Sequence, residues 1–270
     1  MWRQVAQSLQ GPSHAVDGSA CQDSHFVCTL GELSAEVIVA CVADGAGSAK
    51  HSDIGSALAC ETIAESATRH FESHGSFAKL QFNDVIAWCE NVREKIQLAA
   101  QSKESHMREL ATTLCVAIIS PEGSFFFQIG DGAITVGNNG IYGVVFWPQS
   151  GEYANATNFI TSDQFRNHLE FQATTSKISE LALFTDGIER LALDFETQTP
   201  HVPFFQPLFR AIHSSEIDSN LGADLAHFLQ SDSVTNRSDD DKTLILATRL
   251  LGAPEGNAAR DVDGDTHAVD

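Results

Sequence analysis

Positive charge is scarce in this chain: 16 lysines and arginines stand against 36 aspartates and glutamates, a net charge of −20 over 270 residues. A surface of that sign repels nucleic acid and anionic lipid, and no basic cluster overturns it, so neither nucleic acid nor membrane is an expected partner. Long apolar runs are missing as well. No stretch approaches a membrane span, and the opening MWRQVAQSLQGPSH lacks the apolar core of a secretion signal. The six cysteines, Cys21, Cys28, Cys41, Cys60, Cys89 and Cys115, make no CxxC pair and no Cys/His zinc spacing. Most lie among apolar neighbours, as in IVACVAD and TLCVAI, which reads as buried free thiols in a reducing compartment. A cytoplasmic monomer is the expectation. The glycine-rich DGAGSAK does not follow GxxxxGKS, so a nucleotide-binding loop is excluded.

What the chain does carry is four aspartates at the borders of apolar, strand-like runs. They are Asp44 in VIVACVADGAG, Asp131 in FFFQIGDGAI, Asp186 in LALFTDGIER and Asp240 in SDDDKTLILATRL, the last standing before its run. An Asp-Gly step is also a common hairpin turn, so any one of them reads equally well as structural. Four together point to carboxylates delivered from rigid elements into one site, and such oxygen ligands suit Mg²⁺ or Mn²⁺.

The apolar runs extend from Val37 to Leu250 without a low-complexity break, which predicts one domain over residues 1–251. HFVCTL and AEVIVACVA, separated by GELS, predict a hairpin. SAKHSDIGSALACETIAESATRHF predicts a helix capped by Ser52 and packed closely on a sheet. Val85, Ile86, Cys89, Val92, Ile96 and Ala99 recur at helical steps behind a cap at Asn83. TTLCVAII, SFFFQIG, AITVG and IYGVVFW predict an antiparallel meander. Residues 148–179 read as an irregular, polar, functional segment. ELALFT predicts a strand, a stretch with three prolines follows, and a helix near Leu221 to Leu229 precedes a last strand, TLILATRL. Residues 252–270 read as a disordered acidic tail; Asp261, Asp263 and Asp265 alternate as in a calcium loop, but glycine falls at the wrong position.

The order CQD, VADGAG, TTL, IGDG, FTDG and DDDKTLIL, with GxSH ahead of it, resembles the metal-dependent serine/threonine protein phosphatases of the type-2C (PPM) family, in its compact bacterial branch. The motifs run from about Gly11 to Leu250. The resemblance implies an α+β fold, a four-layer αββα sandwich of two antiparallel sheets flanked by helices, with two cations, Mn²⁺ or Mg²⁺, at one edge. It implies that Asp44 bridges the ions, that the Gly45 carbonyl binds one of them, and that Asp186 and Asp240 complete the ligands. Asp23 would support the site and Asp131 would help hold a third, looser ion. Asp44, Asp186 and Asp240 are thus the implied catalytic residues. Of the three consecutive aspartates only Asp240 is expected to point into the site, because it stands three residues before Thr243.

The implied activity is hydrolysis of phosphoserine and phosphothreonine in protein substrates of a Ser/Thr kinase system, by a metal-bridging hydroxide and without a phosphoenzyme. The absence of a cysteine in a phosphate-binding loop and of a Ser-His nucleophile pair agrees with this. Three departures stand out. Gln22 replaces a glutamate that contacts metal through water. Gly18 stands where many relatives have a phosphate-binding arginine, leaving His14 as the nearest polar candidate. Ala46 stands where some have a histidine acid, a role for which His51 is a substitute. They keep a second reading open, a catalytically weak metal-binding scaffold or pseudophosphatase.

Overall fold

A computed structural model of the chain describes residues 1–32, 35–149, 157–215 and 220–250. The expected tail, with its three alternating aspartates, lies outside them. Strand β1 (Trp2–Leu9) leads through the short helix α1 (Pro12–Asp17) to β2 (Ser24–Leu30) and β3 (Val37–Ala43). Two long helices follow, α2 (Ser52–His74) and α3 (Phe82–Ser102), then β4 (Leu114–Ile119), β5 (Ser124–Ile129), β6 (Ala133–Asn138) and β7 (Ile141–Val144). A single turn, α4 (Phe165–His168), precedes β8 (Glu170–Thr174) and β9 (Glu180–Phe184). After α5 (Asp186–Ala192), the two-residue strands β10 (Leu193–Asp194) and β11 (Thr199–Pro200) pair with each other. Helices α6 (Val202–Ser214), α7 (Leu221–Leu229) and α8 (Asp232–Thr235) lead to β12 (Lys242–Arg249).

The strands form two five-stranded antiparallel sheets, ordered β1-β12-β9-β6-β7 and β2-β3-β4-β5-β8. The apolar runs are continuous, not alternating, because both faces of each central strand are covered. In β3, Val37, Val39 and Cys41 pack under α2 and α3, while Ile38, Ala40 and Val42 meet the other sheet. In β12, Leu244 and Leu246 pack under α5–α7, while Ile245 and Ala247 face inward between the sheets. Side chains at successive positions point to opposite faces, so two apolar faces need an unbroken run. Full burial of each large aliphatic contributes about 1.5–3 kcal/mol. The result is the expected αββα sandwich, with the β2–β3 hairpin pairing formed.

Several expectations change. The meander is broken: β4 pairs with β5 in one sheet and β6 with β7 in the other, so Gly130–Gly132 carries the chain across the sandwich. Gly130 has φ 108°, and a Cβ there would lie 2.5 Å from Thr113 Cγ2, so glycine is required at the crossing. Helix α3 begins at Phe82, not behind Asn83; its cap is Gln81, in a reciprocal box with Asp84. Ser52 is the first residue of α2 and His51 the cap. The close packing of α2 is borne out, since a Cβ on Gly55 would lie 2.1 Å from the Leu110 carbonyl oxygen.

The polar segment contributes an edge strand, β8, which the irregular reading missed. The three-proline stretch forms α6, with Pro203 in its first turn and Pro207 inside. Burial of Phe204, Phe205, Phe209 and Ile212 outweighs the lost backbone bond. Strand β1 had no apolar signal because only Trp2 and Val5 of its side chains are buried.

Candidate metal centre

One end of the sandwich holds a cavity of about 440 Å³ whose wall includes Asp44, Gly45, Asp131, Asp186 and Asp240, together with Ser13, His14 and Thr157. Four carboxylates dispersed over nearly 200 residues thus share one space. Each arrives from a sheet edge or helix start. Asp44 follows β3, and the Thr112–Thr113 pair pins its backbone. Thr113 Oγ1 accepts the Asp44 N–H at 2.9 Å, and the Asp44 carbonyl accepts the Thr113 N–H at 2.8 Å and the Thr112 hydroxyl at 2.9 Å. Asp186 opens α5. Beside it, a Cβ on Gly187 would lie 1.9 Å from the Asp241 carbonyl oxygen, so only glycine allows α5 this close to the strand carrying Asp240.

Asp131 sits at the crossing between sheets; its Oδ2 accepts the Thr157 hydroxyl, and its Oδ1 is buried with no partner. Asp23 does not reach the cavity. It is buried behind it, where Oδ2 accepts the Thr185 hydroxyl at 2.7 Å, and Thr185 Oγ1 in turn accepts the Thr243 N–H at 3.1 Å.

The three consecutive aspartates have three different surroundings. Asp240 lines the cavity and Asp239 is exposed. Asp241, with 2 % of its surface exposed, is a clamp: Oδ1 accepts the Gly11 N–H and Oδ2 the Gln22 N–H, each at 2.6 Å. His14 Nδ1 lies 2.9 Å from Asp241 Oδ2, off the line of the ring N–H, as an ion contact. The Ser13 N–H and hydroxyl also donate to the Asp239 carbonyl. The GxSH segment and the DDD segment, more than 220 residues apart, therefore lock together, and this puts His14 in the cavity wall. Behind them Lys242 is buried, with Nζ donating to the Asp240 carbonyl at 2.7 Å; burial lowers its pKa, against the pull of the surrounding carboxylates.

The charges in the cavity oppose one another. Burial first, then Asp23, Asp186, Asp131 and Asp240, hold the Asp44 carboxyl well above the carboxylate range. Asp186 is pushed up to about 7 by burial and by Asp131 and Asp240, and Asp23 to about 7 mainly by burial. Asp131 is raised as well. Glu189, one helical turn after Asp186, goes to about 7 through burial and the charges of Asp186 and Asp131. For His14 burial works downward, but the contact with Asp241 and the charges of Asp241, Asp240 and Asp23 raise it overall.

This donor set fits hard divalent cations: all-oxygen ligands, mutual repulsion that a cation relieves, and an unpartnered Asp131 oxygen. The carboxylates ring the cavity. Among the described residues no three ligand-type side chains converge at coordination spacing, so a cation held here would take part of its shell from water and the Gly45 carbonyl.

These shifts carry a test. Asp23 and Asp186 sit at about 7 in the folded chain, against about 3.9 for a free aspartate. The folded state therefore binds protons more tightly than the unfolded one, and the associated stability is complete below about pH 4 and is lost as pH rises through 7. Metal-free protein should melt at least about 5 °C lower at neutral pH than near pH 5. Millimolar Mn²⁺ should restore more at neutral pH than at acidic pH. A manganese-induced rise in Tm that is the same at both pH values would refute the cluster.

The remaining candidates lie apart. His51 caps α2 and does not line the cavity, and Gly18 closes α1. Gln22 spends its backbone on Asp241 and on Gly45, while its buried Oε1 has no partner. Thr157 and Glu189 went unread in the sequence; only the helical i, i+3 spacing from Asp186 could have pointed to Glu189.

Four similarities to known proteins accompany this geometry. A family model described as Protein phosphatase 2C matches residues 10–230. Serine/threonine-protein phosphatase 3 of Escherichia coli (strain K12) is 36% identical over 253 residues, covering 91% of this chain and 98% of that protein. A crystal structure of a bacterial serine phosphatase superposes with TM-score 0.63 at 15% identity, over 94% of this chain and all of that one. The catalytic domain of the serine/threonine protein phosphatase PstP in complex with two manganese ions gives 0.62 at 16% identity, over 93% and 99%. At these identities the two structures speak for the fold.

Proposed function

This chain belongs to the protein phosphatase 2C family and is a metal-dependent serine/threonine phosphatase, and we propose that it dephosphorylates proteins at the cavity ringed by Asp44, Gly45, Asp131, Asp186 and Asp240. The observation that carries the reading is the convergence of those carboxylates from four separate elements. It also weighs against the scaffold alternative, which would have lost ligands. Mn²⁺ or Mg²⁺, held there by these oxygen donors, would supply an activated water and neutralise the phosphoryl oxygens.

The chain's own groups do the rest. Asp44, whose charge is opposed by burial and by Asp23, Asp186, Asp131 and Asp240, would hold the cations together with the Gly45 carbonyl, Asp186 and Asp240. Asp131, steadied by Thr157, would add a further oxygen donor beside Asp186. Asp23 holds Thr185 and through it the start of α5 and β12, and so orients Asp186. His14, with Nδ1 against Asp241 and its pKa raised overall by that contact, has Nε2 left to protonate the departing serine or threonine oxygen. Substrates come from a Ser/Thr kinase, and the six free cysteines agree with a reducing, cytoplasmic setting.

With millimolar Mn²⁺ the purified protein should release phosphate from a phosphothreonine peptide, and a chelator should stop it. No release from any phosphopeptide or aryl phosphate overturns the proposal. His14→Asn should slow the peptide reaction about 100-fold while sparing p-nitrophenyl phosphate, whose leaving group needs no proton. Equal loss on both substrates would assign His14 to phosphate binding instead.

A further inference from the structure

Two further cavities continue from the metal centre. The first shares Asp186 and Asp240 with it and is also walled by Arg190 and Arg237; the second, about 820 Å³, shares Arg190, Leu191 and Arg237 with the first. The second has an apolar part, built from Leu193, Phe195, Pro203, Phe204, Leu208 and Phe228 of the β10–β11 ribbon and helices α6 and α7, and a polar part that includes Asp194, His201 and Ser233. Phe195 is 48% exposed, one of few large apolar side chains so placed, and its ring stands edge-on to Trp147 at 5.3 Å. An exposed aromatic held in place by a second aromatic is a surface prepared for contact.

Arginine and lysine are rare in this chain, yet two arginines stand at the junction of the cavities. Both are exposed, and among the described residues neither forms an ion pair. Glu189 and Asp239 share the same wall. The arginines therefore do not make a broadly basic patch; they offer two unpaired guanidiniums at one point between an anionic reaction centre and an apolar groove.

We propose that this continuous path is the binding groove for the substrate polypeptide, which places its phosphoresidue at the carboxylate cavity, an anionic residue at Arg190 and Arg237, and a large apolar side chain in the groove beside Phe195. The inference rests on the phosphatase reading. It assigns specificity to the α5–α8 side of the molecule and not to the polar segment 148–179.

The test uses the full chain with Mn²⁺ and phosphothreonine peptides in which one flanking position at a time carries Phe, Ser, Asp or phosphoserine, on either side. A Phe at one position should lower KM about tenfold relative to Ser, the worth of one buried apolar side chain. Phe195→Ser should erase that preference. An anionic residue between it and the phosphothreonine should lower KM further, and Arg190→Ala with Arg237→Ala should remove that effect. Asp and phosphoserine at this position tell whether carboxylate or phosphate is preferred. All variants should hydrolyse p-nitrophenyl phosphate like the parent. If the parent hydrolyses p-nitrophenyl phosphate but treats all peptides alike, or if preferences survive both sets of substitutions, the groove is overturned. If the parent hydrolyses neither class of substrate, the phosphatase reading itself fails.

Discussion

Asp44→Asn is expected to lower kcat/KM by about a thousandfold or more, while the metal-free variant melts at or above the parent temperature. The first effect follows from loss of a charged oxygen at the centre of a site whose chemistry depends on cations, where each 1.36 kcal/mol of lost stabilisation is a factor of ten. The second follows from the crowding: burial and four neighbouring carboxyls already oppose the Asp44 charge, and an amide removes that repulsion. Its backbone anchors on Thr112 and Thr113 are main-chain bonds that the substitution leaves in place. Thermal melts with and without Mn²⁺, beside steady-state kinetics, decide the matter. Activity within tenfold of the parent would remove Asp44 from the site.

Substitutions at the two neighbouring aspartates should fail in opposite ways. Asp240→Ala is expected to lose activity with a Tm within a few degrees of the parent, because its side chain lines the cavity and gives up only the bond from the Asp241 N–H, and the chain around it is held by Lys242 and Asp241. Asp241→Ala is expected to lose the fold. It strands the buried Gly11 N–H and the partly buried Gln22 N–H and removes the partner of His14, a cost of about 1–3 kcal/mol for each N–H, or a fall of roughly 10 °C for a domain of this size. A simple reading of the DDD motif would let Asp241→Ala keep its activity, as only Asp240 was to matter. The structure gives Asp241 a different place, buried and accepting the Gly11 and Gln22 N–H groups, so its loss is expected to act through packing where that of Asp240 acts through the cavity. An Asp241→Ala protein with parental Tm would contradict the clamp.

The aspartates, the strands that end at them and the two long helices were legible in the chain because each is encoded locally. An apolar run buried on both faces, a turn glycine after a carboxylate, and a three- or four-residue period do not depend on distant partners. The partners themselves were not legible. Nothing in SFFFQIGDGAI says that the chain changes sheets at Gly130; the requirement comes from Thr113, which fills the space where a Cβ would go. In VPFFQPLFRAIHS the apolar residues Phe204, Phe205, Leu208, Phe209 and Ile212 do recur at helical steps, but the prolines argue against a helix until a second sheet offers a surface for the phenylalanines.

The sequence by itself determined which residues can carry metal chemistry and on which kind of element each stands, since residue type and periodicity are local properties. Only the tertiary structure decided that Asp23 lies behind the cavity, that Asp241 clamps the N-terminal GxSH segment, and that two arginines stand between the carboxylates and an apolar groove. The first two depend on groups 162 and 230 residues apart meeting within hydrogen-bond distance, and the third on α5 and the turn before β12 being brought side by side. Burial and mutual repulsion, which set their charges and roles, exist only once the chain has folded.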